Sequence, residues 1–102
     1  MTRLEQLQKL ASVTHDDPMP HYAVGLELAQ QERWSEAVQA FQQALRINEN
    51  YSAALYHMAR AQIKAGAHAD AVETLRRGMT VAHAAGDWKA EAEMRDLLDT
   101  VT

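Results

Sequence analysis

At 102 residues, with 47% apolar but only 6% aromatic side chains and a formal charge of −4, the chain suits one small helical domain. The same balance argues against a nucleic-acid partner, which calls for a basic surface, and the lack of cysteine excludes disulfides, thiolate metal sites and thiol nucleophiles. Charged residues interrupt Leu4, Leu7 and Leu10 at the start and no apolar run reaches membrane length, so no secretory signal or membrane span is expected and the cytoplasm is the expected location.

Leu4, Leu7, Leu10, Ala11 and Val13 recur at helical spacing and predict an amphipathic first helix of about three turns. His15-Asp16-Asp17-Pro18-Met19-Pro20 predicts a turn, because proline is tolerated at a helix start and breaks an interior. A second helix is expected from Tyr22 to Gln31, with Gly25 its one breaker. Trp34-Ser35-Glu36 reads as a turn in which Ser35 is the N-cap of a third helix. The apolar face of that helix is Ala37, Val38, Phe41, Ala44, Leu45 and Ile47, and Asn48-Glu49-Asn50 closes it. A fourth helix runs from Ala53 to Ala65 and stops at Gly66; a fifth runs from Asp70 to Ala85 and stops at Gly86. Asp87 then caps a sixth, on which Ala90, Met94, Leu97, Leu98 and Val101 make one stripe. Six helices, no strand and short connections predict antiparallel packing of neighbours.

Shifting the chain by 34 residues aligns these helices: Tyr22 falls on Tyr56, Ala37 on Ala71 and Val38 on Val72. Similar types coincide elsewhere, Gly25 with Ala59, Phe41 with Leu75, Leu45 with Met79 and Ile47 with Val81. The same shift carries Leu4 onto Val38 and Leu7 onto Phe41, which makes the first helix a half-repeat. The resulting division is a half-repeat at 1–17, repeats at 18–51 and 52–85, and a C-terminal capping helix at 86–102.

A 34-residue period of paired helices resembles the tetratricopeptide repeat family. Gly25, Ala37 and Ala44 stand at its small sites in the first repeat, with Phe41 as the large residue between pairs; Ala59, Ala71, Gly78 and Leu75 fill those roles in the second. Small residues let helix backbones approach, and the large one fills the space between adjacent pairs. The chain departs from the pattern at His21, at Gln62 opposite Leu28, and at Glu32 where Gly66 keeps the turn glycine. The proline that usually ends the second helix is absent at Glu49 and His83, so the helix before Gly86 is expected to run long. The resemblance implies an all-α solenoid of antiparallel helix pairs.

No catalytic constellation is legible. His15, His21, His57, His68 and His83 never pair at i, i+3 or i+4, so they form no helical metal site. Glu91 and Glu93 face different ways, and Glu93 with Asp96 reads as a solvated face. The four glycines make no phosphate loop, and Ser12, Ser35 and Ser52 sit in no nucleophile elbow. No cofactor and no enzymatic activity are expected.

In the family the first helix of each pair lines the concave surface. Helical geometry then groups Tyr22, Leu26 and Gln30 in the first repeat, with Ala29 beside them, and Tyr56, Arg60 and Lys64 in the second, with His57 and Ile63 beside them. Two tyrosines at one level and two cations further along suit a short protein or peptide segment carrying an acidic group. The family's chaperone-tail clamp needs lysine and asparagine where Tyr22 and Leu26 stand, so that activity is not implied. The function expected is a scaffold or adaptor that holds a partner peptide or helix. The alternative is a structural protein that pairs with a second copy of itself through a terminal helix or stack edge, where Leu4, Leu7 and Leu10 at one end or Met94, Leu97, Leu98 and Val101 at the other are expected to be only partly covered. Polar residues on both end helices favour capping over such contact.

Overall fold

A computed structural model describes all 102 residues and contains six helices and no strand. They are α1 (Arg3–Val13), α2 (Met19–Gln30), α3 (Trp34–Ile47), α4 (Ser52–Lys64), α5 (His68–Ala84) and α6 (Trp88–Asp99). Connections of three to five residues oblige each helix to fold back on its predecessor, and each packs against the next. Beyond these neighbours, α4 also touches α2 and α6, whereas α1 does not reach α3 and α3 does not reach α5. The stack therefore curves, with α2, α4 and α6 on the inside. This is the all-α solenoid that the repeat pattern implies.

The helix pairs are held together by large residues set against small ones. Phe41 is fully buried, and a Cβ added to Gly25 would fall within 2.6 Å of its ring atom Cδ1. Ala37 and Ala44, one turn to either side of Phe41, are fully buried as well. Further along, Gly78 leaves room for the Met94 sulfur, which would sit 2.5 Å from a Cβ there, and Met94 packs with Ala59 and Leu75. Burying a side chain the size of phenylalanine or methionine contributes about 1.5–3 kcal/mol. The neighbouring backbone must lack a side chain for that burial to occur without overpacking.

Helix ends follow local chemistry. Thr2 and Glu5 cap α1 reciprocally, each side chain accepting from the other's backbone N–H at 3.1 Å. Asp87 caps α6 by accepting from the Ala90 N–H at 3.1 Å. The C-termini of α2, α4 and α5 end alike. Glu32, Gly66 and Gly86 adopt positive φ, and the next residue's N–H donates back to the carbonyl of Leu28, Gln62 and Ala82. Glycine reaches that conformation freely, whereas a residue with Cβ, here Glu32 at φ 59°, is strained by about 1–2 kcal/mol.

That strained turn corrects the reading of Trp34-Ser35-Glu36. The chain reverses at Gln31–Arg33, α3 already begins at Trp34, and Ser35 is inside the helix with no capping role. The repeat alignment already sets Glu32 opposite the turn glycine Gly66; only the local reading of Trp34-Ser35-Glu36 set the reversal too late, because glutamate itself carries no turn signal. Likewise α2 starts at Met19, with Pro20 accommodated in the first turn, where a missing N–H costs nothing. α5 starts at His68 and runs for 17 residues against 14 in α3, the long helix expected where the terminating proline is absent. On α1 only Leu4 and Ala11 are buried; Leu10 and Val13, read as part of its apolar stripe, are exposed, because one partner helix covers a narrower strip than the sequence offers. Gln62 is buried where the first repeat has Leu28, and its Oε1 has no partner, at a cost of about 1–3 kcal/mol.

Two substitutions of opposite sign follow from this packing. Gly25→Ala must displace the Phe41 ring and is expected to destabilise the protein by about 1–3 kcal/mol. Glu32→Gly relieves the positive-φ strain and, net of the added freedom of the unfolded chain, is expected to stabilise by about 0.5–1 kcal/mol. Urea denaturation followed by circular dichroism measures both, and midpoints equal to that of the parent would contradict the close approach and the strain.

Candidate functional site

The inner face of the curve carries a groove of about 320 Å³ formed where the C-terminal halves of α2 and α4 meet α6. Leu26, Ala29 and Gln30 come from α2, Arg60, Ala61, Ile63 and Lys64 from α4, Trp34 from the start of α3, and Leu97 from α6. Leu26, Trp34, Ile63 and Leu97 are half-buried and give it apolar walls; Gln30, Arg60 and Lys64 are exposed on its rim. A second depression of about 210 Å³ lies one level along, between the N-terminal halves of α4 and α6, lined by Tyr56, Asp87, Glu93 and Met94 among others. His57 lines both, so the two adjoin at its side chain.

Four of the six residues grouped from the sequence, Leu26, Gln30, Arg60 and Lys64, thus share one groove. Tyr56 lines the second depression, its ring 5.9 Å from the Arg60 guanidinium carbon. Tyr22 lines neither. It is half-buried in an aromatic cluster one turn before Leu26 on α2, its centroid 5.0 Å from Tyr51, 5.8 Å from His57 and 5.9 Å from Phe41. Burial raises its phenol pKa above the ordinary value. Tyr51 belongs to the same cluster and donates its hydroxyl hydrogen to the Met19 sulfur at 2.8 Å. Both tyrosines are half-buried and each leans on the first helix of the following pair, Tyr22 on His57 of α4 and Tyr56 towards Met94 of α6, but only Tyr56 lines a depression.

Trp34, Ala61 and Leu97 are the lining residues the sequence did not point to. Trp34 was assigned to a turn, although a large apolar residue among polar neighbours was a usable signal. Leu97 stood in the stripe read as a cap, and no local pattern tells which side of that stripe faces α4.

Charge on this surface is unbalanced. The ion pairs of the molecule are Arg3 with Glu27, Arg33 with Glu36 and Arg95 with Glu91, and the His83 ring also meets the Glu91 carboxylate at 3.3 Å. Arg60, Lys64, Asp87 and Glu93 enter none of them. His57 lies over Phe41, with ring centroids 6.2 Å apart and planes inclined by 27°. It also meets the Tyr22 and Tyr56 rings edge-on. Burial first, and then the Arg60 charge, hold its imidazole below the usual 6.5. No group of three or more histidine, aspartate or glutamate side chains converges on a point that would hold a metal ion, and the groove presents no nucleophile paired with a base.

A histidine whose folded-state pKa is lowered binds its proton more readily when unfolded. Its neutral form in the aromatic cluster supports the fold fully above pH 6.5, and that support is lost progressively as pH falls through 6.5 towards the lower folded value. The melting temperature is therefore expected to fall between pH 7.5 and 5.5, and to fall less in His57→Gln. Identical slopes in the two proteins would remove His57 from this role.

A family model described as tetratricopeptide repeat matches residues 28–93, more than half of the chain. Comparison with curated proteins finds no match. Among solved structures, PcrH in complex with the chaperone binding region of PopD superposes with a TM-score of 0.89 at 17% identity, over 96% of this chain and 74% of that one. Protein BPP2914 from Bordetella parapertussis gives 0.84 at 21% identity, over 99% and 88%. A tetratricopeptide repeat domain protein from Salinibacter ruber gives 0.77 at 24% identity, over 86% and 89%. At these identities the likeness is one of fold.

Proposed function

The chain belongs to the tetratricopeptide repeat family, and on that footing we propose that it is a non-catalytic protein–protein interaction module, a scaffold or adaptor that holds a peptide or helix of a partner in the groove between α2, α4 and α6. The observation that carries this reading is the pairing of apolar walls with two cations, Arg60 and Lys64, that no carboxylate of the chain neutralises. Leu26 and Gln30 complete the contact surface on α2, and Tyr56 extends it along α4; Tyr22, one turn before Leu26, packs edge-on against His57 and holds it in place. PcrH, the neighbour of like fold, is described in complex with a binding region of PopD, which supports a peptide as the occupant.

The mechanism is preorganisation. The groove walls are helices already fixed by the core, so binding orders mainly the incoming segment and loses little to rearrangement. The half-repeat at 1–17, repeats at 18–51 and 52–85 and capping helix at 86–102 are the units we assign to this architecture. No helix is long and apolar enough to cross a membrane, and we place the module in the cytoplasm.

Photo-crosslinking tests the groove directly. A benzophenone side chain at Gln30 or Lys64 is expected to capture the partner in extract of the native cell, and one at Gln42 or Arg46, on the outer face, is not. Capture from the outer positions alone would refute the groove.

One observation favours a second reading. Leu10 and Val13 on α1 and Met19 on α2 are exposed at the same edge of the stack, 51%, 69% and 53% respectively. Pairing of two copies through that edge would cover them. Light scattering over a concentration series is expected to show a monomer if the groove is the only binding surface, and a mass that doubles with concentration if the edge is one too.

A further inference from the structure

The inner surface is divided by charge along its length. Arg60 and Lys64 stand on the last turns of α4, over the groove that Leu26, Trp34 and Leu97 wall. Glu93 stands one turn before Leu97 on α6, at the level of Tyr56 and His57. Asp87 adds a second carboxylate at that end, one oxygen of which accepts from the Ala90 N–H. Arg60, Lys64 and Glu93 have no ion-pair partner in the chain, and His57 lines both depressions, which lie side by side along α4. At about 1.5 Å per helical residue, the anionic and cationic levels lie one to two turns apart, about 6–12 Å. An extended peptide covers that span in about two to four residues.

Unneutralised charges beside apolar walls act through a lower effective dielectric than charges in open water, and they discriminate strongly against a like charge placed on them. We propose that this surface reads charge polarity: its occupant is a peptide segment with an apolar side chain seated against Trp34 and Leu97, a carboxylate at Arg60 and Lys64, and a basic side chain at Glu93, all within about four residues. The proposal rests on the groove reading above and adds the chemistry of what the groove selects.

The test uses a synthetic library of seven-residue peptides with amidated C-termini and leucine or tryptophan at the centre. The flanking positions carry aspartate, lysine or alanine in every combination, and binding to the full chain is read by fluorescence anisotropy. Peptides with one acid and one base are expected to bind about tenfold more tightly than those with two acids or two bases. Arg60→Glu with Lys64→Glu should move the preference to two bases, and Glu93→Lys should move it to two acids. Each is a gain of binding that an unfolded variant cannot produce. A free C-terminus that replaces the side-chain acid would support the proposal and identify the carboxylate as terminal. Gln30→Trp, which fills the groove from an exposed position, separates the two levels of inference. Binders lost in Gln30→Trp but indifferent to flanking charge would overturn the polarity and leave the groove standing. A library without any binder sensitive to Gln30→Trp would overturn both.

Discussion

The contact between the bare backbone at Gly25 and the ring of Phe41 governs the geometry of the molecule. It lets α2 and α3 cross at a distance that no side chain on α2 would permit, and it leaves the ring fully enclosed. The ring in turn is the plate on which His57 of α4 lies, and His57 is the wall common to both inner depressions. A surface feature of α4 is thus fixed by a missing side chain on α2, two helices earlier in the chain. Gly78 and Met94 repeat the arrangement one step along, now to seat α6 against α5. A solenoid has no central core, so each junction must supply its own large-and-small pair, and its stability is the sum of such junctions.

Curvature follows from the same packing and gives the proposed site its shape. With α4 touching both α2 and α6 while the outer helices stand apart, the inner face concentrates side chains from three helices on one strip. Apolar groups on that strip escape burial only because no further layer covers them, and the charged residues among them find no partners on their own helices. Elsewhere some charges are paired locally, as with Arg33 and Glu36, whose bond at 2.7 Å raises the arginine pKa and lowers that of the carboxyl, while others such as Lys9, Arg46 and Lys89 enter no ion pair and stand in open solvent. Exposed pairs of this kind add little stability. What distinguishes the inner face is charge left available beside apolar surface.

The departures from the repeat pattern have physical consequences that differ in kind. Glu32 in place of glycine stores strain at a helix end without altering the path of the chain, since Arg33 still donates to Leu28 as Ala67 does to Gln62. Gln62 in place of an apolar residue leaves a buried oxygen unpaired. Neither helps the fold. Both show that the geometry is imposed by the stack of helices and tolerates local residues that disfavour it.

Much of the fold was legible because its determinants are periodic or local. The 34-residue recurrence, the small sites at Gly25, Ala37, Ala44 and Gly78, the glycine stops at Gly66 and Gly86 and the cap at Asp87 each act through short-range sterics or hydrogen bonding that a residue type announces. Helical phase also grouped Leu26 with Gln30 and Arg60 with Lys64, since i and i+4 neighbours share a face wherever the helix goes, and the family resemblance implied that both faces line the concave side. Other features are decided only when helices distant in sequence meet. Tyr22 and Tyr56 are equivalent in the repeat, yet one is locked against Phe41 and Tyr51 and the other faces Glu93, because each has different neighbours across the stack. Leu97 joins the groove and Leu10 is left outside the core for the same reason: periodicity says that a residue lies on an apolar face, but only the position of the opposing helix says what covers it.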